Sequence, residues 1–188
     1  SACLVGSEMC IRDSSKGQYT VLLEWRMIME YHIRAMQEQD IPFVSQIENQ
    51  IFSLPWSEKS FRDAAANPDN VYLVCECTGE IAGYCGMWTV MGEGNVTNVA
   101  VHPAYRRRGV AEALLKEMEK KAKEKVVTIF FLEVRQSNEA AKQLYNKLGY
   151  NSIGVRKRFY EKPVEDAIVM SKTTYTCLLY TSDAADDS

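Results

Sequence analysis

The chain has 188 residues, a formal net charge of −3 and a sequence pI near 5.5. This acidic balance argues against a general nucleic-acid binder, so we expect no direct nucleic-acid binding. The length suits a single domain, and no apolar run approaches the roughly 18 residues that a membrane-spanning helix needs, so we expect a cytoplasmic protein that does not enter a membrane.

Both ends of the sequence look foreign to the rest. Residues 1–26 show no sustained helical or strand period, and residues 173–188 end in a small, acidic run. Both segments resemble translated adapter sequence, so we predict non-native flanks there. The domain would then occupy residues 27–172 and start natively at Met27 or Met29.

Three of the six cysteines, Cys75, Cys77 and Cys85, lie outside these flanks in strand-like contexts. Free thiols buried in a reducing compartment are the ordinary interpretation of such residues. The spacing of Cys75 and Cys77 could supply two metal ligands, but no second pair accompanies them. We therefore expect no metal site.

The first half of the domain is predicted to form a strand, two helices and a meander. Residues 30–34 alternate as a first strand, and Asp40 is placed to cap a helix whose apolar residues step by three and four. A second helix from Ser57 to Ala66 ends before Asn67-Pro68, since proline disfavours helix in the residue ahead of it. Three strands joined by short Gly-containing turns follow, at residues 71–77, 81–90 and 95–101.

The second half mixes helices and strands. A helix from about Gly109 to Lys123 carries an apolar stripe that includes Val110, Leu114 and Met118 and leaves Glu119 facing water. The remaining elements are a strand at residues 126–134, a helix at 137–148 and closing strands at 150–156 and 166–170. Because strands outnumber helices and alternate with them irregularly, we predict an α+β fold with a mixed sheet rather than a parallel βαβ series.

The segment from residue 95 to 111 is the most informative, because a strand, a proline turn and an Arg-rich helix start follow one another. The first N–H groups of a helix have no intrahelical partner and carry partial positive charge, so they bind phosphate. Gly109 lets a phosphate approach the backbone, and three arginines before it add donors, although adjacent side chains point in different directions. We therefore predict a polyphosphate ligand held mainly by backbone N–H groups.

The pattern Arg106-x-x-Gly109-x-Ala111 after such a strand resembles the acetyl-coenzyme A pyrophosphate motif of the GNAT superfamily of N-acetyltransferases. Other segments resemble one branch of that superfamily, the bacterial ribosomal-protein-alanine N-acetyltransferases. These segments are Leu54–Phe61, Leu132–Asn138, Ala141–Tyr150 and Glu165–Met170. The resemblance covers about residues 29–172, and four motifs in this order rarely arise by chance.

The resemblance implies both a fold and a cosubstrate site. The fold would be a mixed, mostly antiparallel sheet of about seven strands with helices on both faces, splayed between its fourth and fifth strands. Acetyl-coenzyme A would lie in the splay, its amide pairing with the backbone of Asn98, Val99 and Val101 like an extra strand. Its pyrophosphate would contact Arg106, Arg107, Arg108, Gly109, Val110 and Ala111. Asn138, a helix N-cap by propensity alone, would add a further contact.

Two residues are candidates for acid–base chemistry. Glu133 faces away from its apolar neighbours, which by itself fits a solvent-facing strand residue, whereas the resemblance makes it the general base. Tyr145 lies on the apolar side of its helix and by itself fits a core tyrosine equally well. The resemblance makes Tyr145 the general acid for the departing thiolate, a proton transfer that is downhill only if the pKa of the phenol falls.

Two aromatic residues are candidates for binding the acceptor. Trp56 follows Leu54-Pro55 in the loop between the first two helices, where an exposed ring marks a binding surface and a buried ring merely packs. Tyr160 comes after the basic run Arg156-Lys157-Arg158, which is usually a solvated strand end. The resemblance places a similar segment beside the peptide substrate.

We therefore predict a monomeric, acetyl-coenzyme A-dependent N-acetyltransferase that modifies the N-terminal α-amine of a protein, of the ribosomal-protein alanine type, by direct transfer in a ternary complex. At pH 7 about a tenth of α-amines are neutral, against fewer than about a thousandth of lysine amines, so the α-amine is the easier nucleophile. Two alternatives stay open. One is a lysine or small-polyamine acetyltransferase, and the other is a non-catalytic acyl-coenzyme A sensor in which Glu133 and Tyr145 only pack.

Overall fold

A computed structural model of the protein describes residues 31–174. The predicted flank at 1–26, the residues up to Glu30 and the segment 175–188 lie outside the described residues. Seven strands are present within this range, namely β1 (Tyr31–Ala35), β2 (Val71–Cys77), β3 (Glu80–Val90), β4 (Glu93–Val101), β5 (Ile129–Arg135), β6 (Asn151–Glu161) and β7 (Val164–Thr173). Four α-helices accompany them, namely α1 (Ile41–Ile51), α2 (Glu58–Ala66), α3 (Val110–Glu124) and α4 (Glu139–Lys147).

All predicted elements that fall in this range are confirmed, with shifted ends. Strand β5 begins at Ile129 rather than at residue 126, because Val126 turns with φ 60° and is 75% exposed. Strand β6 continues to Glu161, well past the predicted end at residue 156. Helix α4 ends as predicted before Gly149, whose φ of 90° stops the helix.

Asp40 occupies the N-cap position of α1, but its side chain makes no capping hydrogen bond to that helix. Instead, its carboxylate accepts hydrogen bonds from both terminal nitrogens of Arg34, at 2.6 and 2.9 Å, and from the backbone N–H of Gln37 at 2.8 Å. The prediction of a capping side chain was therefore wrong. A buried carboxylate binds a guanidinium more strongly than it binds an exposed helix end, so the ion pair takes both oxygens.

The sheet is mixed and mostly antiparallel, as predicted, with the strand order β1-β2-β3-β4-β5-β7-β6. The single parallel pairing joins β4 to β5, and it covers only the first three residues of each strand, from Glu93 opposite Ile129 to Asn95 opposite Phe131. Beyond that point β4 pairs only with β3, and β5 pairs only with β7. The predicted splay between the fourth and fifth strands is therefore present.

Two tight turns build the meander that leads to the splay. Thr78-Gly79 joins β2 to β3 and Met91-Gly92 joins β3 to β4, and all four residues have positive φ. Two consecutive positive φ values define the turn whose twist matches that of the flanking strands. The Gly-containing connections thus act as predicted, as hairpin turns.

A bulge in β4 coincides with the point where that strand leaves β5. Gly86 lies opposite Asn98 and Met87 lies opposite Val96, so Thr97 is an extra residue. A bulge twists its strand and redirects the neighbouring side chains. As a result, Thr97 bonds Tyr72 and Asn98 bonds Glu48, both on the α1 side of the sheet.

Helices cover both faces of the sheet, as predicted. On one face α3 and α4 pack through a buried stripe, which consists of Val110, Leu114, Leu115, Met118, Ala122 and Tyr145. On the other face α1 and α2 pack on β2, β3 and β4 through Ile41, Val44, Ile47, Phe61 and Ala64. The prediction for Glu119 was wrong. It is 8% exposed and pairs with Lys172 of β7 at 2.6 Å, because β7 brings a cation to its side of the helix.

The three cysteines of the described range are buried free thiols, as predicted, and burial raises the pKa of Cys75 to about 11. None of the helices found between residues 31 and 174 is long and apolar enough to cross a membrane.

Candidate active site

The gap between the diverging ends of β4 and β5 brings together most of the predicted site residues. Asn98, Val99 and Val101 lie on the β4 side of the gap, and Glu133 lies on the β5 side. Beyond Asn95 the backbone edge of β4 that faces β5 is not paired with it. A strand edge of this kind can pair with an extended ligand.

The turn at the end of β4 forms an open cradle at the start of α3. Gly109 is the N-cap of α3 with φ 83°, and a Cβ placed on it would meet no atom within 4 Å. Arg107 also has a positive φ, of 62°. Arg106, just before it, is extended, so the capacity of this turn to bind an anion comes from the N–H groups at the start of α3. The space beside Gly109 is open, as a phosphate site requires.

The three arginines of this turn differ in their surroundings, as predicted for adjacent side chains. Arg106 donates through Nε to the backbone carbonyl of Val101 at 3.2 Å, so its side chain ties down the end of β4. Arg108 lies over the ring of Tyr105, 5.9 Å from its centroid. All three are exposed. The backbone of the turn therefore offers a more definite phosphate contact than any one guanidinium.

Glu133 lies on the face of β5 opposite to its buried neighbours Leu132 and Val134, and its side chain is 26% exposed. Its carboxylate pairs with Arg156 of β6, with 3.0 Å between Oε1 and Nη1. Arg156 is itself 59% exposed, so the guanidinium can move away without breaking core contacts. Glu133 is thus positioned by the sheet and faces a partly open cleft.

A wide bulge in β6 lies between Arg156 and Tyr160, and both residues border this cleft. Arg156 lies opposite Ala167 and Tyr160 lies opposite Glu165, so β6 has two more residues than β7 in this interval. Asp166 holds the bulge by accepting from Lys157 Nζ at 2.7 Å and from the backbone N–H of Arg158 at 2.8 Å. These donors lower the pKa of Asp166, with the Lys157 hydrogen bond as the largest cause.

Arg135 joins the two loops that border the cleft. Its guanidinium donates to the carbonyl of Lys162 at 3.0 Å and pairs with Glu165 at 3.1 Å, and it lies 4.1 Å from the centroid of the Tyr160 ring. Ser53, in the loop between α1 and α2, donates to the same Lys162 carbonyl. Tyr160 also donates to the backbone carbonyl of Glu133 at 3.3 Å. The candidate acceptor residue Tyr160 is therefore fixed directly beside Glu133.

Tyr145 is buried in the core between α4 and the sheet, where its ring meets that of Tyr150 edge-on at 5.9 Å. Burial raises the pKa of its phenol above the ordinary value. Within residues 31–174 its hydroxyl makes no hydrogen bond to another side chain or backbone group. The condition for a favourable proton transfer from Tyr145 to a thiolate, a lowered pKa, is therefore not met.

Trp56 is half-buried in a cluster of aromatic rings. Its ring lies 5.5 Å from Phe61, 6.5 Å from Tyr72 and 5.9 Å from Trp88. Leu54, two residues earlier, is 53% exposed. The loop thus has a packed side and an exposed side. The Trp56 ring belongs to the packed side and does not stand free on the surface.

Glu48 of α1 is a further candidate residue that the sequence pattern did not single out. Its carboxylate is 1% exposed and accepts hydrogen bonds from the Tyr84 hydroxyl, from the backbone N–H of Trp56 at 3.0 Å and from Asn98 Nδ2 at 3.3 Å. A signal was available, because Glu48 lies four residues after Val44 and seven after Ile41, on the apolar stripe of its helix. A charged residue on such a stripe indicates either a buried hydrogen-bonded group or a functional site.

Asn138 is the N-cap of α4, as its propensity predicts, and its Oδ1 accepts from the N–H of Ala141 at 3.1 Å. Two surface cavities of about 670 and 620 Å³ lie away from Glu133. The first is bordered by Trp88, Met91 and Lys125, and the second by Phe43, Glu76 and His102. Neither cavity includes a residue predicted to take part in acyl transfer.

Comparisons with known proteins agree with this geometry. Residues 41–150 match the model of the acetyltransferase (GNAT) family. A putative [ribosomal protein bS18]-alanine N-acetyltransferase of Bacillus subtilis is 41% identical over 139 residues, which is 73% of this chain and 92% of that protein. The [ribosomal protein bS18]-alanine N-acetyltransferase of Escherichia coli K12 is 36% identical over 143 residues, covering 74% of this chain and 95% of that protein.

Solved structures show the same fold. The crystal structure of the ribosomal-protein-S18-alanine N-acetyltransferase from Escherichia coli superimposes with a TM-score of 0.72 and 31% identity, over 80% of this chain and 99% of that one. The crystal structure of Ard1 from Thermoplasma volcanium has a TM-score of 0.71 at 22% identity, over 77% and 98% of the two chains.

Proposed function

Because this chain belongs to the acetyltransferase (GNAT) family and is an acetyl-coenzyme A-dependent N-acetyltransferase, we propose that its acceptor is the N-terminal α-amine of a protein, of the type that begins with alanine. The observation that carries the proposal is the placement of Glu133 and the open cradle at Gly109 on the two sides of one gap in the sheet. The two groups can therefore act on the same pair of reactants.

The residues of the gap suit acetyl-coenzyme A. The cradle at Gly109 leaves its first α3 N–H groups accessible, and the end of β4 presents an unpaired backbone edge. We propose that the backbone from Arg106 to Ala111 holds the pyrophosphate and that Asn98, Val99 and Val101 hold the pantetheine amide. Asn138 would border the site from α4. When bound, the cosubstrate supplies an activated acetyl thioester.

Glu133 is the proposed general base. An α-amine has a pKa near 7.7–8.0, against about 10.4 for lysine, so deprotonating it at pH 7 costs about 3.5 kcal/mol less. A carboxylate at the edge of the cleft, acting through one water, is sufficient for such an amine. Arg156 has to move aside when the acceptor binds, and its exposure allows that.

Tyr145 has the opposite electrostatic character. Because burial raises the pKa of its phenol, we propose that it stays protonated and stabilises the departing thiolate by donating a hydrogen bond. Full proton transfer would be uphill. The thiolate, whose ordinary pKa is near 8.5, can instead take its proton from solvent after it leaves.

The acceptor wall is proposed to consist of Trp56 on one side and Tyr160 on the other. Ser53, in the loop of Trp56, and Arg135 both donate to the carbonyl of Lys162 just after the strand of Tyr160, so the wall is a continuous structure. The bacterial relatives are named for acetylating the alanine of ribosomal protein bS18. On that basis we propose a ribosomal-protein N-terminus as the acceptor, a cytoplasmic location and a monomeric enzyme.

A thiol-release assay over a peptide panel tests the proposal. With acetyl-coenzyme A, peptides that begin with alanine should release coenzyme A fastest, while N-terminally blocked peptides with internal lysines and free polyamines should react at least about a hundredfold more slowly at pH 7. Faster reaction of lysines or polyamines would show that the acceptor is one of those amines and not an N-terminal α-amine. Binding of acetyl-coenzyme A without thiol release on any amine would indicate a sensor.

A further inference from the structure

Glu48 is an acidic residue in a place that does not favour charge. It is 1% exposed, and its carboxylate has three hydrogen-bond donors but no cationic partner within residues 31–174. Burial raises its pKa, while the Tyr84 and Trp56 donors partly reverse that effect. It also lies in the last turn of α1, where the helix dipole is negative and disfavours a carboxylate.

A glutamine would satisfy the same surroundings better. Its amide oxygen could accept from the Trp56 N–H and the Tyr84 hydroxyl, and its NH2 group could donate to Asn98. At present Asn98 must turn its Nδ2 toward Glu48, because a carboxylate only accepts hydrogen bonds, and its Oδ1 is left buried without a partner. Stability alone therefore favours glutamine at position 48, and the presence of an acidic residue there calls for another explanation.

The position of Glu48 suggests one. It bonds Trp56 of the acceptor wall on one side and Asn98 at the edge of the gap on the other. Glu165 pairs with Arg135. Glu133 pairs with Arg156 before the acceptor binds and is released when Arg156 moves aside. At pH 7 about nine-tenths of free α-amines arrive as ammonium ions. A cation that enters this cleft therefore gains from a negative charge on Glu48, behind Trp56, in addition to the charge of Glu133.

We infer that Glu48 is a positioning residue for the acceptor, which fixes Trp56 against Asn98 and whose negative charge favours binding of the cationic N-terminus. The inference rests on the proposed function, in which the acceptor is an amine. Glu48 acts through these two neighbours and through its field, and it is not required to touch the reacting atoms.

The test compares two variants and two peptides. Glu48→Gln removes the charge and keeps the hydrogen-bonding capacity, whereas Tyr84→Phe removes one hydrogen bond and keeps the charge. One peptide begins with alanine, and its desamino analogue carries a propionyl group in place of that alanine. Their affinities for each variant are measured by calorimetry in the presence of coenzyme A, so that no acetyl transfer occurs.

We expect Glu48→Gln to weaken binding of the alanine peptide by about tenfold, the order expected for one unit-charge pair at a partly buried site. Binding of the desamino peptide and of coenzyme A should change by less than about twofold, and thermal stability should be equal to or above that of the parent protein. Tyr84→Phe should keep the preference for the amine peptide.

Three results would overturn the inference: equal loss of both peptides in Glu48→Gln, loss of the amine preference in Tyr84→Phe as well, or unfolding of Glu48→Gln. Each would make the carboxylate a structural group only. Failure of the proposed function looks different, because the parent protein would then show no preference for the amine peptide and no thiol release with it.

Discussion

The two halves of the sheet, on either side of the gap between β4 and β5, are covered very differently. In β2 all residues but one are buried, because α1 and α2 pack on one face and α3 packs on the other. In β5 burial alternates strictly, and in β6 almost every residue is exposed. On the face of β5 that carries Glu133, Arg156 of β6 covers the carboxylate, and among the described residues no β5 side chain belongs to the core cluster under α1 and α2.

From this difference we expect stability to depend mainly on one half of the sheet and catalysis on the other. The half with β1 to β4 supplies a closed core and a rigid edge for the cosubstrate. The half with β5 to β7 presents polar side chains that can rearrange when an acceptor arrives, as Arg156 must. Substitutions in the first half should therefore change the free energy of unfolding, and substitutions on the open face should change turnover. Four experiments test that division.

The largest effect is expected for Glu133→Gln on the open face. The amide cannot accept a proton from the amine, so the rate with an alanine-first peptide should fall by about 10²–10⁴. Acetyl-coenzyme A binding, measured by calorimetry, should remain unchanged because Glu133 lies across the gap from the cradle. A matched control is Glu139→Gln, an exposed carboxylate on α4, which should keep parental activity. Parental activity of Glu133→Gln would remove it from the mechanism.

The closed half should respond most to loss of core volume. Leu114→Ala removes a fully buried side chain of α3 and should lower the free energy of unfolding by about 2–5 kcal/mol, measured by urea denaturation. The comparison is Ile153→Ala in β6, a residue that is 57% exposed and should change stability by less than about 0.5 kcal/mol. Similar losses for both variants would contradict the division between the halves.

A smaller effect is expected at the ion pair between Arg34 and Asp40. Burial alone raises the pKa of Asp40, but the hydrogen bonds from Arg34 and Gln37 bring it below its ordinary value. Asp40→Asn should therefore destabilise the protein by about 2 kcal/mol at neutral pH.

The Asp40 effect should depend on pH in one direction. A carboxyl group whose pKa is lower in the folded state stabilises that state above its unfolded pKa, near 3.9, and this stabilisation is lost as pH falls through the folded pKa. Urea denaturation of both proteins at pH 7 and pH 3 measures the change. A difference that does not shrink toward pH 3 would show that the ion pair is not its cause.

The smallest effect is expected at the boundary between the halves. Gly109→Ala places a Cβ in open space but at φ 83°, which should cost about 1 kcal/mol of stability and weaken acetyl-coenzyme A binding. Gly154→Ala in β6 is the matched control, because that glycine also faces open space and has no positive φ. Equal stability of the two variants would show that the left-handed turn at Gly109 carries no strain.

The parts of this protein that sequence alone determined are those set by local pattern. The period of α3, the two-residue turns at Thr78-Gly79 and Met91-Gly92, the Gly109 cradle and the outward orientation of Glu133 each depend on residues close together in the chain. The resemblance added the splay and the acyl-transfer chemistry, and the family match and relatives agree with both.

Tertiary structure decided the pairings between distant residues. Glu119 meets Lys172 from 53 positions away, and Glu48 meets Tyr84 from 36 and Asn98 from 50. Arg156 of β6 meets Glu133 of β5 only because β7 places these two strands on either side of itself. No local period records such contacts, since a charged residue looks the same in sequence whether it faces water or a distant partner. The order of the strands in the sheet determines which distant residue each charged side chain meets. It therefore also determines the charge balance of the acceptor cleft.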